Sequence, residues 1–140
     1  VPANECIPLY DDGDEIPVHA ANALTGKRFA VITGRQSGYA AGTGINIGLD
    51  TSSTGGNYTA DVPAASVACA GVVAYDCASG DKVTLLRRKV LPVTCGATVT
   101  VGSQVEVDNA GRVINLASGK AVGLALTGNT VGLDAEILVY

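Results

Sequence analysis

The chain has 140 residues and a mass of 14.0 kDa, enough for one domain and too short for two of ordinary size. Thirteen acidic against nine basic residues leave a net charge of −4, which offers no basic footprint for nucleic acid or for an anionic membrane surface. The longest nearly unbroken apolar stretch, residues 67–75, falls far short of the roughly 20 residues that span a bilayer, so a soluble protein with neither nucleic-acid nor membrane partners is expected.

The charge imbalance is N-terminal. Before residue 67 there are seven acids and three bases, and from there on six of each. Glu5, Asp11, Asp12, Asp14 and Glu15 precede the first base, Lys27, and are interleaved with Ile7, Leu9, Tyr10, Ile16 and Val18 and with Pro8 and Pro17. Prolines at that spacing disfavour a helix, so residues 1–20 are expected to form an extended arm ahead of a single β domain over 21–140. Within that domain, residues 34–56 carry seven glycines in 23 positions among Thr, Ser and Asn, and a long Gly-rich loop is expected over 34–60.

From Val67 onward the texture changes, with 14 of the 18 valines and period-two alternation in short runs. Thr98-Val99-Thr100-Val101 and Val105-Glu106-Val107-Asp108 alternate cleanly. Asn109-Ala110-Gly111 then supplies a three-residue turn into Arg112-Val113-Ile114-Asn115-Leu116, which predicts a hairpin. Further strands are expected around residues 29–33, 67–75, 82–87, 121–126 and 135–140, and residues 63–70 have room for one helical turn. The fold class is therefore all-β, a small barrel or sandwich of short strands.

The sequence also echoes itself. Gly71-Val72-Val73-Ala74, Gly80 and Val83-Thr84-Leu85-Leu86 match Gly123-Leu124-Ala125-Leu126, Gly132 and Ala135-Glu136-Ile137-Leu138 at a constant offset of 52 residues. Two similar hairpins would produce this pattern and could pack as related halves of one barrel or sandwich.

Residues suited to chemistry are sparse. Cys6, Cys69, Cys77 and Cys95 could form two disulfides in a secreted chain, but no C-x-x-C occurs and no common zinc spacing is present. Cys69, within Ala68-Cys69-Ala70-Gly71, reads as a buried free thiol, and neither metal nor cofactor is expected. His19 is the one histidine, and it lies on proline-flanked, acidic ground poorly suited to a nucleophilic site. Gly34-Arg35-Gln36-Ser37-Gly38 places its serine one position late for a nucleophile elbow, Gly42-Thr43-Gly44-Ile45-Asn46-Ile47-Gly48 is one residue too long for a dinucleotide fingerprint, and no G-K-[ST] follows a Gly-rich run. The clustered carboxylates lack the twelfth-position acid of an EF-type calcium loop. Arg87-Arg88-Lys89, the one basic cluster, reads either as a solvated strand edge or as a receptor for the acidic segment of a neighbouring molecule.

The C-terminal half carries a resemblance. Gly71-Val72-Val73-Ala74, Ala78-Ser79-Gly80-Asp81-Lys82-Val83, the run from Val99-Thr100-Val101-Gly102 through Val105-Glu106-Val107-Asp108 to Gly111-Arg112-Val113, and Ala121-Val122-Gly123-Leu124-Ala125-Leu126 resemble the tailed-phage capsid decoration, or head-stabilising, proteins over residues 67–140. That resemblance implies a non-enzymatic structural virion protein, commonly a homotrimer. Such a protein is assembled in the bacterial cytoplasm, binds the outer capsid surface and clamps adjacent major capsid subunits. It also implies that Ile7, Leu9, Tyr10, Ile16 and Val18 could anchor an arm on the shell or on a neighbouring copy by adding a strand to an exposed edge; the basic cluster, read from its own charge, offers Arg87, Arg88 and Lys89 as an inter-subunit charge contact. Two rivals stand beside it. One is a carbohydrate-binding β module displayed on a virion or cell surface, and the other is a hydrolase built on His19.

Overall fold

A computed structural model of the chain describes residues 4–6, 15–35 and 58–140. Ten strands and no helix occur among them: β1 Glu15–Ala20, β2 Phe29–Arg35, β3 Tyr58–Asp61, β4 Gly71–Val73, β5 Lys82–Leu86, β6 Val90–Thr94, β7 Gln104–Val107, β8 Val113–Asn115, β9 Gly123–Ala125 and β10 Asp134–Val139. The first five close into a barrel in the order β1-β3-β2-β4-β5, and the last five form a sheet ordered β6-β10-β9-β7-β8.

The all-β expectation holds, and the predicted hairpin is β7–β8, with Val107 opposite Val113. Its turn is fastened by Asp108, whose carboxylate accepts N–H bonds from Ala110 and Arg112 at 2.9 Å each and meets the Arg112 guanidinium at 2.9 Å.

Other expectations are corrected. Residues 15–20 are not arm but barrel strand: β1 pairs antiparallel with β5 and parallel with β3. Pro17 is accommodated because it stands at an exposed position of that strand, while Val18 and Ala20 point into the core. The two ends of the Gly-rich segment, Gly34 with Arg35 and Tyr58 through Ala60, are likewise strand, and residues 36–57 lie outside the described residues. Thr98–Val101 contributes only an isolated bridge, Val99 to Asn129. In place of a helical turn within 63–70 there is a tight turn with Ser66 at φ 66°.

The internal echo is deeper than two hairpins, and those hairpins, β4–β5 and β9–β10, belong to different sheets. Strand for strand, β6 to β10 repeat β1 to β5. Val18 opposite Val83 becomes Val93 opposite Ala135, Ala30 opposite Gly71 becomes Val105 opposite Gly123, and Ile32 opposite Ala60 becomes Val107 opposite Val113. The Leu24–Cys77 bridge recurs as Val99–Asn129. The parallel pairing that closes the barrel through β1 and β3 recurs as a single parallel bridge from Cys95, just past β6, to Val113 in β8, so the second sheet is a barrel nearly closed. Its core residues Val93, Cys95, Val99, Val105, Val113, Ala125, Ala135 and Ile137 stand where the first barrel has Val18, Ala20, Leu24, Ala30, Ala60, Val73, Val83 and Leu85.

Both halves also turn on glycine at one place, Gly80 and Gly132, with φ of 89° and 83°, values that cost other residues strain. Gly111 (φ 79°) is under a second constraint: an added Cβ would collide with the Phe29 carbonyl oxygen, and its own carbonyl accepts the Phe29 N–H at 2.7 Å, joining the halves. Gly132→Ala, with open space around it, should therefore cost about 1–2 kcal/mol from backbone strain alone. Gly111→Ala should cost about 3 kcal/mol or more. Urea unfolding of both variants checks this, and equal losses would show that the Phe29 contact does not join the halves.

Candidate interaction site

β-Strand addition needs an open sheet edge. The first barrel offers none, and the outer strands of the second sheet, β6 and β8, meet at Cys95 and Val113. Among the described residues, the outer edges of β6 and β8 beyond that one bridge are therefore the edges this chain offers to an added strand. Of the anchor residues, Val18 is wholly buried and Ile16 packs partly buried against the same core; in β1 they face the barrel and not a neighbour, because alternate positions of a strand share a face. Ile7, Leu9 and Tyr10 lie outside the described residues. Residues 4–6 are seated on the first barrel: the Cys6 N–H is donated to the Ala74 carbonyl, and the Asn4 amide donates to both Asp76 oxygens at 3.0 and 2.8 Å.

The basic cluster is divided. Lys89 is only 2 % exposed and its ammonium meets the Glu15 carboxylate at 3.2 Å. The acid–base pairing anticipated between molecules is, for Lys89, made within one chain, because β1 brings Glu15 opposite Leu86 and so beside the start of β6. Arg87 donates to the Tyr140 carbonyl at 3.3 Å, with its Nε buried and unpartnered. Arg88 is exposed, with φ 57°.

A second buried polar group, Glu106, shapes the loop after β8. One carboxylate oxygen accepts the Ala117 and Gly119 N–H groups at 3.0 and 2.7 Å, and the other accepts the Ser66 hydroxyl at 3.1 Å. The bonds from Ala117 and Gly119 hold its pKa below the usual glutamate range, against the opposing effect of burial. All four cysteines are free thiols. Burial pushes Cys6 and Cys69 up to about 12 and also raises Cys77 and Cys95. His19 lies on β1 opposite Thr59 and Lys82, with no cysteine among its strand partners, and no cluster of metal-ligating side chains occurs among the described residues.

Two surfaces were not anticipated from sequence. A cavity of about 180 Å³ opens where the halves meet, between Leu24, Arg28, Phe29, Val73 and Asn109; the Arg28 Nε is buried there without a partner. The other surface is apolar. Val101, Leu126, Val131 and Leu133 are 63, 40, 60 and 55 % exposed on the loops at one end of the second barrel. Those loops are tied together by paired Val99–Asn129 backbone bonds and by the Gly102 N–H donated to Ala125 at 2.8 Å. The signal was present in the sequence as Val101-Gly102 and Val131-Gly132-Leu133, large apolar residues in glycine turns, where polar ones are the rule.

No family model matches the chain, and no curated protein does. Solved structures similar to the chain include one that matches over nearly its whole length. It is the N base of the head fiber gp8.5 of bacteriophage phi29, at TM-score 0.67 and 12 % identity, covering 92 % of this chain and 95 % of that one. At that identity the likeness is one of fold, and it spans both halves of the molecule.

Because a raised thiol pKa keeps sulfur protonated and unreactive, Cys6 and Cys69 in the native protein should react with a thiol-disulfide reagent at pH 8 at least tenfold more slowly than in denaturant. Comparable rates would contradict their burial. Glu106→Ala strips the acceptor from two loop N–H groups, so hydrogen exchange at Ala117 and Gly119 should accelerate while the strands stay protected. In the wild type the contribution of Glu106 is present above the ordinary glutamate range and is lost as pH falls through its lowered value, so the same amides should lose protection in acid. A pH-independent exchange pattern, beyond intrinsic chemistry, would refute this role.

Proposed function

We propose that this chain is a structural component of a phage virion that binds the outer surface of the capsid and stabilises contacts between major capsid subunits, without catalysing a reaction. The observation that carries this reading is the fold shared end to end with the base of a phage head fiber. It is supported by the independent resemblance of residues 67–140 to capsid decoration proteins. The two halves suit the task physically: the first is a closed barrel and the second a sheet curled towards one, their cores are filled with small branched side chains, and such rigid units lose little conformational entropy on docking. The partners in this reading are the major capsid protein and further copies of the chain as a homotrimer, with assembly in the bacterial cytoplasm. A docked copy stabilises the assembled shell by mass action, and many copies add their contributions.

The test is sedimentation of purified protein with expanded capsids that lack it, alongside a glycan array. Co-sedimentation with saturable stoichiometry, together with a rise in the temperature at which the capsids release DNA, is expected. Binding to glycans with no capsid association would replace this function with the carbohydrate-binding alternative.

A further inference from the structure

The cavity of about 180 Å³ at the junction of the halves differs from the same place in the repeat. Carrying β2 and the loop before it onto β7 sets Thr25 on Thr100 and Arg28 on Ser103, and carrying β3 onto β8 sets Val62 on Asn115. In the second half Asn115 closes against Thr100: its amide oxygen accepts the Thr100 N–H at 3.0 Å, and its amide nitrogen donates to the Thr100 hydroxyl at 3.3 Å. The first half has valine where that asparagine stands, so neither bond is made, and it has arginine where the second has serine.

Polar capacity is therefore left unspent around this cavity. Among the described residues, no ion pair or side-chain hydrogen bond engages its lining residues Thr25, Arg28 and Asn109. The Arg28 Nε is shielded from solvent and the two terminal nitrogens are not, so a ligand reaches the guanidinium at its end. The nearest acids in sequence are already engaged. Asp108 pairs with Arg112 at 2.9 Å, and Asp61 accepts the Asn22 amide at 3.0 Å and the Val62 N–H at 2.8 Å. Beneath the arginine the floor is apolar, with Leu24, Phe29 and Val73 each no more than 3 % exposed.

Size and charge select the occupant. The volume is below the roughly 300–1,000 Å³ of pockets that enclose a small molecule and is of the order of one side chain. An apolar floor suits a methylene stem, and the planar fork of an arginine suits a carboxylate; glutamate carries both. The wall is preformed, because Asp108 fastens the turn that bears Asn109 and the Gly111 carbonyl ties that turn to Phe29 at 2.7 Å, which keeps the ordering cost of binding low. We infer that this cavity is a socket for a single glutamate side chain of the shell protein, its carboxylate paired with the Arg28 guanidinium. The inference rests on the capsid-binding part of the proposed function and gives it a contact residue.

The experiment has two arms. In the first, the full chain is titrated with N-acetyl-L-glutamate α-amide and with its glutamine counterpart, and NMR follows the Arg28 Nε–H and the backbone amides of Thr25, Asn109 and Ala110. Saturable shifts confined to these groups are expected with the glutamate compound. Binding at least about tenfold weaker is expected for the glutamine compound, and for the glutamate compound with Arg28→Met. Equal responses to the two compounds, or shifts elsewhere on the surface, overturn the socket. In the second arm, wild type and Arg28→Met are sedimented with expanded capsids, with circular dichroism melting to verify the fold. Capsid binding at least about tenfold weaker is expected, with a melt no lower than the wild type's, since methionine keeps the apolar stem and removes the shielded nitrogen. Asn109→Asp, at an exposed turn position, sets a competing carboxylate at the rim without touching the core and should weaken binding as well. Capsid binding undiminished by both substitutions overturns the socket and leaves the proposed function standing. A wild type that binds no capsids overturns the proposed function, and with it the shell as the source of the glutamate, whatever the first arm shows.

Discussion

The molecule depends on three strands that are buried on both faces. Along β2, β4 and β5, neighbouring residues part company: Ala30, Val73 and Leu85 turn into the first barrel, while Phe29, Val72 and Leu86 turn outward into the cluster built on Leu91, Val93 and Ile137. A small barrel alone has little interior to bury. Lending the outer face of three strands to the second half supplies the remainder and fixes one half against the other. Full burial of a side chain the size of Leu85 or Ile137 is worth about 1.5–3 kcal/mol, so the shared layer is a sizeable share of the stability of a domain this small. Hydrogen bonds across the junction, such as Phe29 to Gly111 and Thr94 to Lys27, satisfy backbone groups that the packing would otherwise strand.

Duplication also explains where the halves differ. Ile32 and Ala60 pair across the long Gly-rich segment, whereas their counterparts Val107 and Val113 pair across the short turn fastened by Asp108. The Gly-rich segment is therefore extra length in one half, at a place where the other half makes the same strand pairing with a short turn. The loops at one end differ as well, with Gly26, Ala74, Ser79 and Asp81 in the first half where the second has the exposed Val101, Leu126, Val131 and Leu133, so the two halves share a framework and differ at their loops.

The all-β class, the β7–β8 hairpin and the glycine turns at Gly80 and Gly132 were legible in the sequence because alternation and turn chemistry are local. β1 and β6 were not. Each contains a proline, in Ile16-Pro17-Val18 and Leu91-Pro92-Val93, and local rules treat proline as a strand breaker. Both prolines occupy the same place in the repeat, opposite Thr84 and Glu136. That shared motif was available to a reader, but its spacing differs from that of the later strands because the extra length intervenes. A search at one fixed offset finds only the C-terminal part of each repeat. Lys89 shows the same limitation for charge: the sequence indicated that acids and bases would pair, but only the antiparallel run of β1 beside β5 makes Glu15 its partner. The apolar end escaped notice because exposure, unlike periodicity, is a property of the assembled fold.

The meeting of β6 and β8 at Cys95 and Val113 bears on behaviour at high local concentration. Valine-rich segments with little charge are prone to cross-β polymerisation when their backbones are left unpaired. Here five of the ten strands lie in a closed barrel without edges, and the two outer strands of the other sheet are drawn together at one point, which leaves a growing fibril little template and helps a sticky sequence remain dispersed when packed densely beside its neighbours.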